Sequence, residues 1–132
     1  MRERKFRAWS KKHNKYLKLT GIRYDDDKFA GVFVIYGTIA GIPNTIFLEP
    51  EDVILEQYTG LKDKNGKEIY EGDIVGFKWT KRLYVVTYRI YDASFILEND
   101  EWEEAIRLSL DKDDFEVFGN IHENPELLEK EK

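Results

Sequence analysis

The centre of the 132-residue chain reads QYTGLKDKNGKEIYEGDIV over residues 57–75. Asn65-Gly66 is a strong tight-turn signal, because both residues tolerate a positive φ and so match the twist of two flanking antiparallel strands. A second turn follows at Glu71-Gly72-Asp73, and the chain then enters residues 74–79, whose β-branched and aromatic side chains favour a strand. The stretch predicts a turn, a short connector, a second turn and a strand.

Composition places the chain among soluble globular proteins. Hydrophobic residues make up 42% of the sequence and charged residues 36%, and no apolar run approaches the roughly 18 to 20 residues that span a bilayer. The basic, aromatic N-terminus lacks the apolar segment of a secretory signal. The chain has no cysteine, which excludes disulfide scaffolds, thiolate zinc sites and cysteine nucleophiles. We therefore expect a cytoplasmic protein that does not bind membranes.

The length of the chain favours a single domain over residues 1–132. Within it we expect an N-terminal β part over residues 1–56, an SH3-like β part over residues 57–124 and a C-terminal helix over residues 125–132. The predicted fold class is mainly β (α+β). It combines antiparallel hairpins and a meander with an SH3-like barrel portion, by analogy of fold, and with one or two short helices near the C-terminus.

The N-terminal part is predicted from alternating and apolar runs. Residues 4–20 predict a β-hairpin. Asp25-Asp26-Asp27 predicts a solvated loop, and we expect no metal there, because successive side chains of an extended segment point to opposite faces. Residues 31–40 predict a strand with a bend at Gly37, and residues 53–58 predict another.

The C-terminal part combines strands with short helices. Residues 74–79, 83–90 and 93–97 are apolar runs at hairpin spacing and predict an antiparallel meander. Residues 99–108 start with a capping Asn, have acids in the first turn and place apolar residues at helical spacing, which predicts a helix. Residues 115–118 predict a closing strand. Asn124-Pro125 predicts the start of the C-terminal helix.

Charge is distributed unevenly along the chain. Residues 1–20 carry eight Lys/Arg and one Glu, whereas residues 98–132 carry four basic and thirteen acidic residues. One interpretation is that both segments are solvated faces, with the termini packed near each other. The other is that the basic end binds nucleic acid or an acidic protein surface, while the acidic tail discourages non-specific binding to nucleic acid.

Two groups of basic and aromatic residues are candidate nucleic-acid surfaces. Such groups attract phosphates by charge and offer rings on which bases stack. The alternative is that the aromatic residues pack in the core or at strand edges. The group in the N-terminal hairpin comprises Arg4, Lys5, Arg7, Trp9, Lys11 and Lys12, and the group in the meander includes Lys81, Arg82 and Arg89.

The sequence offers little for catalysis. Its two histidines are His13, which we expect to be solvated in a polar turn, and His122, for which we expect a capping or hydrogen-bonding role. Glu71 and Asp73 could act as a carboxylate pair, but acids beside Gly72 also suit a turn. The sequence has neither a GxxxxGK[ST] phosphate loop nor a GxGxxG fingerprint. We expect no enzyme activity and no cofactor.

Three separated motifs resemble the YopX family of small bacteriophage and prophage proteins. They are KFRAW at residues 5–9, the central stretch at residues 57–75, and GNIHENPELL at residues 119–128. The resemblance implies a phage-derived, largely β, cytoplasmic protein that forms oligomers and has no known catalytic residues or cofactor. The family-motif residues that we expect to be structural are Tyr58, Gly60, Asn65, Gly66, Tyr70, Gly72 and Asp73.

These observations lead to two functional hypotheses. The first is a non-enzymatic interaction module that binds another protein or assembles with itself. The alternative is a nucleic-acid-binding module that uses the basic N-terminal hairpin. The two differ in salt dependence, because binding to phosphates weakens steeply as salt is added, whereas an apolar protein interface tolerates it.

Overall fold

The computed structural model describes residues 5–77, 82–89, 93–99, 102–107 and 115–129, and for residues 102–107 it describes the backbone alone. The chain divides between Gln57 and Tyr58 into two compact units. Both units are built from antiparallel strands, so the mainly β fold class is confirmed.

The first unit contains a sheet with the strand order β4-β3-β2-β1-β5. The predicted hairpin is confirmed, because β1 pairs with β2 in antiparallel register. Between β2 and β3, Asp26 and Asp27 have φ values of 50° and 66°, which are typical of a tight hairpin turn. The strands are β1 (Phe6–Ser10), β2 (Lys15–Asp25), β3 (Lys28–Ile39), β4 (Ile42–Leu48) and β5 (Val53–Lys62), and a short 3₁₀ turn covers Pro50–Asp52.

The core of the first unit lies on one face of this sheet. Its fully or nearly fully buried members are Ala8, Val32, Val34, Leu48 and Val53. Val32 and Val34 are two positions apart on β3 and so point to the same side.

Strand β3 changes register before its end. The pairing with β4 shifts between Ile35 and Thr38, and Gly37 in that interval has a φ of 71°. The predicted bend at Gly37 is therefore confirmed.

The second unit contains a sheet with the order β10-β9-β8-β7-β11. The C-terminal half of β5 pairs with β6, with Tyr58 opposite Tyr70. The run β7-β8-β9 confirms the predicted meander. The core contains Ile69, Val75, Val86, Leu97 and Phe115. The strands are β6 (Glu68–Tyr70), β7 (Asp73–Phe77), β8 (Leu83–Arg89), β9 (Ser94–Asn99), β10 (Trp102–Arg107) and β11 (Phe115–Asn120).

Two expectations for the C-terminal part need correction. The helix predicted over residues 99–108 is wrong, because Trp102–Arg107 forms β10, which pairs with β9. Pairing with the edge of β9 supplies hydrogen-bond partners for the backbone of β10, and the Trp and Ile residues of β10 favour a strand. Tertiary pairing therefore overrides the local capping signal. The helix predicted over residues 125–132 is a four-residue 3₁₀ turn at Pro125–Leu128, and residues 130–132 lie outside the described chain.

The SH3-like barrel is not confirmed, since the described strands do not close into a barrel. The prediction that residues 1–132 form a single domain stays a prediction.

Candidate interaction surface

The end of the β3–β4 hairpin is the most exposed apolar feature of the first unit. We call residues 36–44 the β3–β4 arm. Ile39 and Ile42 lie directly opposite each other at its tip and are 65% and 68% exposed. Ala40 and Gly41 form the turn between them, with φ values of 52° and 81°. The arm thus presents two large aliphatic side chains to solvent.

The arm belongs to a long segment without charge. Residues 29–48 contain no Asp, Glu, Lys, Arg or His, although charged residues make up 36% of the whole chain. The buried part of this segment supplies Val32, Val34 and Leu48 to the core, which accounts for its apolar character there. Core packing gives no reason for the exposed apolar residues of the arm.

Strand β4 lies at the edge of its sheet. In the described part of the chain it pairs with β3 on one side and with no strand on the other. Its sequence is IPNTIFL, which contains no charged residue. Pro43 lies in this edge strand, where a residue without an N–H is tolerated.

The base of the arm contacts the β1–β2 turn. The ring of His13 lies 4.2 Å from that of Tyr36, and the Lys15 ammonium lies 5.2 Å from the centre of the same ring. Ser10 Oγ lies 2.7 Å from His13 Nδ1 and accepts a hydrogen bond from the His13 backbone N–H. His13 is half-buried, so the expectation that it is solvated in a turn holds only in part. Ser10 is fully buried, so it is closed to an external substrate.

Arg7 and Trp9 of the N-terminal hairpin do not form an exposed surface on which bases could stack. Trp9 is only 5% exposed, and its ring packs edge-on against Tyr16 at 5.0 Å. Arg7 Nε donates a hydrogen bond of 2.8 Å to Glu56, and the Arg7 guanidinium lies 4.5 Å from the centre of the Tyr16 ring. These positions direct Arg7 and Trp9 into the unit rather than toward a nucleic acid.

The other candidate basic residues lie in separate places. Lys11 and Lys12 are exposed in the β1–β2 turn, and Lys5 is half-buried beside β1. Arg82 is exposed ahead of β8, and Arg89 is half-buried at the end of that strand. Arg4 and Lys81 lie outside the described residues. Binding of nucleic acid by this set stays a prediction.

Asp73, one member of the carboxylate pair considered at the second turn, has a structural role. Asp73 is 1% exposed, and its Oδ2 accepts a hydrogen bond of 2.8 Å from the Tyr70 backbone N–H. Gly72 has a φ of 86°. Its N–H donates to the Val86 carbonyl, and its own carbonyl accepts from the Ile121 N–H. The turn is thus fastened to two neighbouring segments.

Asp63 organises the first turn of the central stretch. Its Oδ1 accepts hydrogen bonds from the Asn65 and Lys67 backbone N–H groups, at 2.8 and 2.9 Å. Its Oδ2 accepts one from the Val117 N–H at 2.9 Å. Burial alone would raise the pKa of Asp63, but the three N–H donors and the Lys67 charge outweigh burial and lower the pKa below the usual 3.8.

Other family-motif residues also fit structural roles. Tyr58 is buried, and its ring lies 5.4 Å from that of Tyr70. Gly60 and Gly66 have φ values of 90° and 84°, which favour glycine. Asn65 is exposed in the turn.

The last motif forms a compact polar turn around Asn120. Asn120 Oδ1 accepts hydrogen bonds from the backbone N–H groups of His122 and Glu123, at 3.0 and 2.9 Å. The Asn120 amide donates to the Glu123 carboxylate at 2.9 Å. In the same turn, Asn124 Oδ1 accepts from the Asn120 N–H.

The described residues show neither a cluster of metal ligands nor a helix suited to span a membrane. Within the described ranges, no three His, Cys, Asp or Glu side chains are grouped closely enough to hold a metal ion. None of the helices in the described part of the chain has the length and apolarity needed to cross a membrane.

Sequence reasoning overlooked the residues that now define the candidate surface. The predicted strand over residues 31–40 includes Ile39 but gives no sign that its side chain is exposed, and Ile42 lies between the predicted strands. The signal was present as the charge-free run over residues 29–48, which is longer than a buried strand needs.

Comparison with known proteins supports the family. The family model described as YopX protein matches residues 5–129. The crystal structure of protein EF1440 from Enterococcus faecalis is similar, with a TM-score of 0.68 and 30% sequence identity over 98% of this chain and 100% of that chain. The protein yopX from Bacillus subtilis has a similar fold, with a TM-score of 0.58 and 18% identity over 98% and 100% of the two chains. No functionally curated protein matches the sequence. The chain therefore belongs to the YopX protein family.

Proposed function

We propose that this chain is a non-enzymatic interaction module that binds another protein chain through the β3–β4 arm. The observation that carries the proposal is the exposure of Ile39 and Ile42, 65% and 68%, at the tip of an uncharged hairpin. From the family resemblance we also infer a phage origin and action in the cytoplasm of a bacterial host.

Leaving the apolar arm exposed to water costs free energy that a partner can recover. Burying an exposed aliphatic side chain stabilises a complex by roughly 1.5–3 kcal/mol when burial is complete. Ile39 and Ile42 are adjacent across the hairpin, so one apolar pocket on a partner covers both. An uncharged arm also carries no ion that would have to be desolvated on binding.

Binding to nucleic acid is a second candidate. Exposed Lys11 and Lys12 in the β1–β2 turn favour it, since they lie next to His13, whose ring contacts Tyr36 at the base of the arm. Contacts of this kind with phosphates would weaken with salt. The arm itself has no positive charge, and we therefore place this candidate second.

A photo-cross-linking experiment tests the proposed function. A benzophenone-bearing amino acid replaces Ile39 in one variant and the exposed Lys67 in a control variant, and each is irradiated in the bacterial host. We expect protein adducts, with this chain or another, from the position of Ile39 and none from that of Lys67.

Two kinds of result would count against protein binding through the β3–β4 arm. Adducts that are equal at both positions, or missing at both, would contradict the proposed function. Adducts that disappear after nuclease treatment would favour the second candidate.

A further inference from the structure

We infer that the partner of the β3–β4 arm is a second copy of this chain, which pairs antiparallel with the outer edge of β4 about a two-fold axis at Thr45. This inference rests on the proposed function and adds the identity of the partner and the register of the pairing.

The outer edge of β4 lacks most of the features that prevent an edge strand from pairing with another chain. Exposed edges are commonly protected by charged side chains, proline, bulges or short length. β4 is seven residues long and uncharged, and in the described chain nothing pairs with its outer side. Pro43 blunts the end near the arm tip, while residues 44–48 retain their N–H groups. Such an edge is suited to receive another strand.

Charge favours β4 itself as the incoming strand. The chain has a net charge of −5, and more than a third of its residues are charged. A charged strand laid against β4 would find no opposite charge in the strand that it faces. β4 of a second copy brings no charge at any of its seven positions, so no like charges face each other across the axis.

The register follows from symmetry. A two-fold axis through Thr45, the middle residue of β4, uses the full length of both strands. It places Ile42 of one copy opposite Leu48 of the other, Pro43 opposite Phe47, and Asn44 opposite Ile46. An interface of this type is isologous, the commonest arrangement in protein dimers.

This register also gives the arm tip an apolar neighbour. Ile42, Ile46 and Leu48 are separated by even numbers of positions, so they share one face of β4. Leu48 belongs to the core, and Ile46 packs against it. Ile42, exposed in the single chain, would lie beside the core end of the second copy. Each arm thereby extends the apolar face of the other unit.

Cysteine cross-linking tests the register directly. The chain has no cysteine, so Thr45→Cys introduces a single thiol at an exposed position. Opposed residues of an antiparallel pair have Cα atoms about 4.5–5.5 Å apart, within the range of about 4.4–6.8 Å that disulfides accept. We expect T45C to oxidise to a covalent dimer.

The matched control is Thr38→Cys, an exposed threonine on the same arm. In the proposed dimer the two copies of Thr38 are about 20 Å apart, given the spacing of strands and residues. T38C should therefore stay reduced and single-chain under the same conditions.

A charge variant tests the interface without a covalent bond. Thr45→Lys places two like charges opposite each other across the axis, and we expect it to raise the dissociation constant of the dimer about fivefold in light scattering. Thr38→Lys should leave the dimer unchanged.

Several outcomes would overturn the inference. A wild-type chain that stays single at high concentration would do so, as would T45C that fails to cross-link or cross-links no better than T38C. If adducts at Ile39 then identify a different protein, the proposed function stands and only the second copy is rejected. If Ile39 gives no protein adduct, the proposed function fails as well. A mass increase that requires nucleic acid also rejects the inference.

Discussion

The Asp63 carboxylate accepts a hydrogen bond of 2.9 Å from the backbone N–H of Val117, which lies 54 residues further along the chain. The same carboxylate holds the turn at Asn65 and Lys67. One side chain therefore closes a local turn and fastens it to strand β11. Val117 also pairs with Val75 of β7, so β11 contacts the central motif at two points, Asp63 and Val75.

Replacing Asp63 should destabilise the chain strongly. Asp63→Ala leaves three backbone N–H groups without their acceptor, and we expect a loss of about 3 kcal/mol in the free energy of unfolding. Urea denaturation monitored by fluorescence measures this loss. Glu49→Ala, at an exposed position with a φ of −67°, is the control and should change stability by less than about 0.5 kcal/mol. A change for Asp63→Ala no larger than that of the control would contradict the assigned role.

The lowered pKa of Asp63 makes stability depend on pH. The ionised form is favoured in the folded chain, so its pKa is below the unfolded value of 3.8. The associated stability is fully present above that value and is lost as the pH falls through the lower, folded-state pKa. We expect urea midpoints of the wild type to fall between about pH 5 and pH 2 more steeply than those of Asp63→Asn. Parallel pH profiles for the two proteins would show that Asp63 does not contribute.

The Arg7–Glu56 pair should behave as a buried ion pair. Glu56 Oε1 accepts hydrogen bonds from both Arg7 Nε and the Tyr16 hydroxyl, each 2.8 Å long, and the Glu56 side chain is 4% exposed. Arg7→Met removes one donor from a buried carboxylate, and we expect a loss of about 3 kcal/mol. Chemical denaturation gives the value.

The matched control is the Arg23–Asp25 pair, where both side chains are more than half exposed. Arg23→Met should cost less than about 0.5 kcal/mol, because water screens that pair. Equal losses for the two substitutions would mean that the burial of Glu56 does not matter.

Two glycines of β3 should respond differently to a methyl group. A Cβ at Gly31 would contact the Phe47 ring and lie 2.6 Å from the Leu48 carbonyl oxygen, and φ there is 127°. A Cβ at Gly37, with φ of 71°, would meet no atom within 4 Å. We expect Gly37→Ala to cost about 1–2 kcal/mol from backbone strain alone, and Gly31→Ala to cost more. Thermal or urea unfolding of both variants measures the two losses in stability. A smaller loss for Gly31→Ala than for Gly37→Ala would contradict the packing described for β3 and β4.

The sequence predicted the strands better than the details of turns and edges. Alternation and turn residues located the hairpins because these signals are local. At Asn65-Gly66, however, a positive φ was expected for both residues, and only Gly66 adopts one. Asp63 takes over the turn by accepting two backbone hydrogen bonds, and an Asp two residues before Asn is a known signal for such a turn.

The wrong predictions concern residues whose structure depends on contacts with distant parts of the chain. Residues 99–108 carry helix-capping signals, yet Trp102–Arg107 pairs with β9, and no local pattern reveals that edge. Likewise, the sequence predicts that Trp9 and Arg7 form a basic aromatic surface. In the structure, Arg7 pairs with Glu56 and Trp9 packs against Tyr16. The exposure of Ile39 and Ile42 follows from the length of the β3–β4 hairpin beyond its neighbours, which composition alone does not give.

The molar mass of the purified chain in solution tests most directly whether the β3–β4 arm mediates association. Light scattering would compare the wild type with Ile39→Ser/Ile42→Ser, a double variant whose changes lie at exposed positions and should leave the core intact. We predict a mass above that of one 15.7 kDa chain for the wild type and the mass of one chain for the variant. A single-chain mass for the wild type, or the same larger mass for both proteins, would contradict self-association of this chain through the arm.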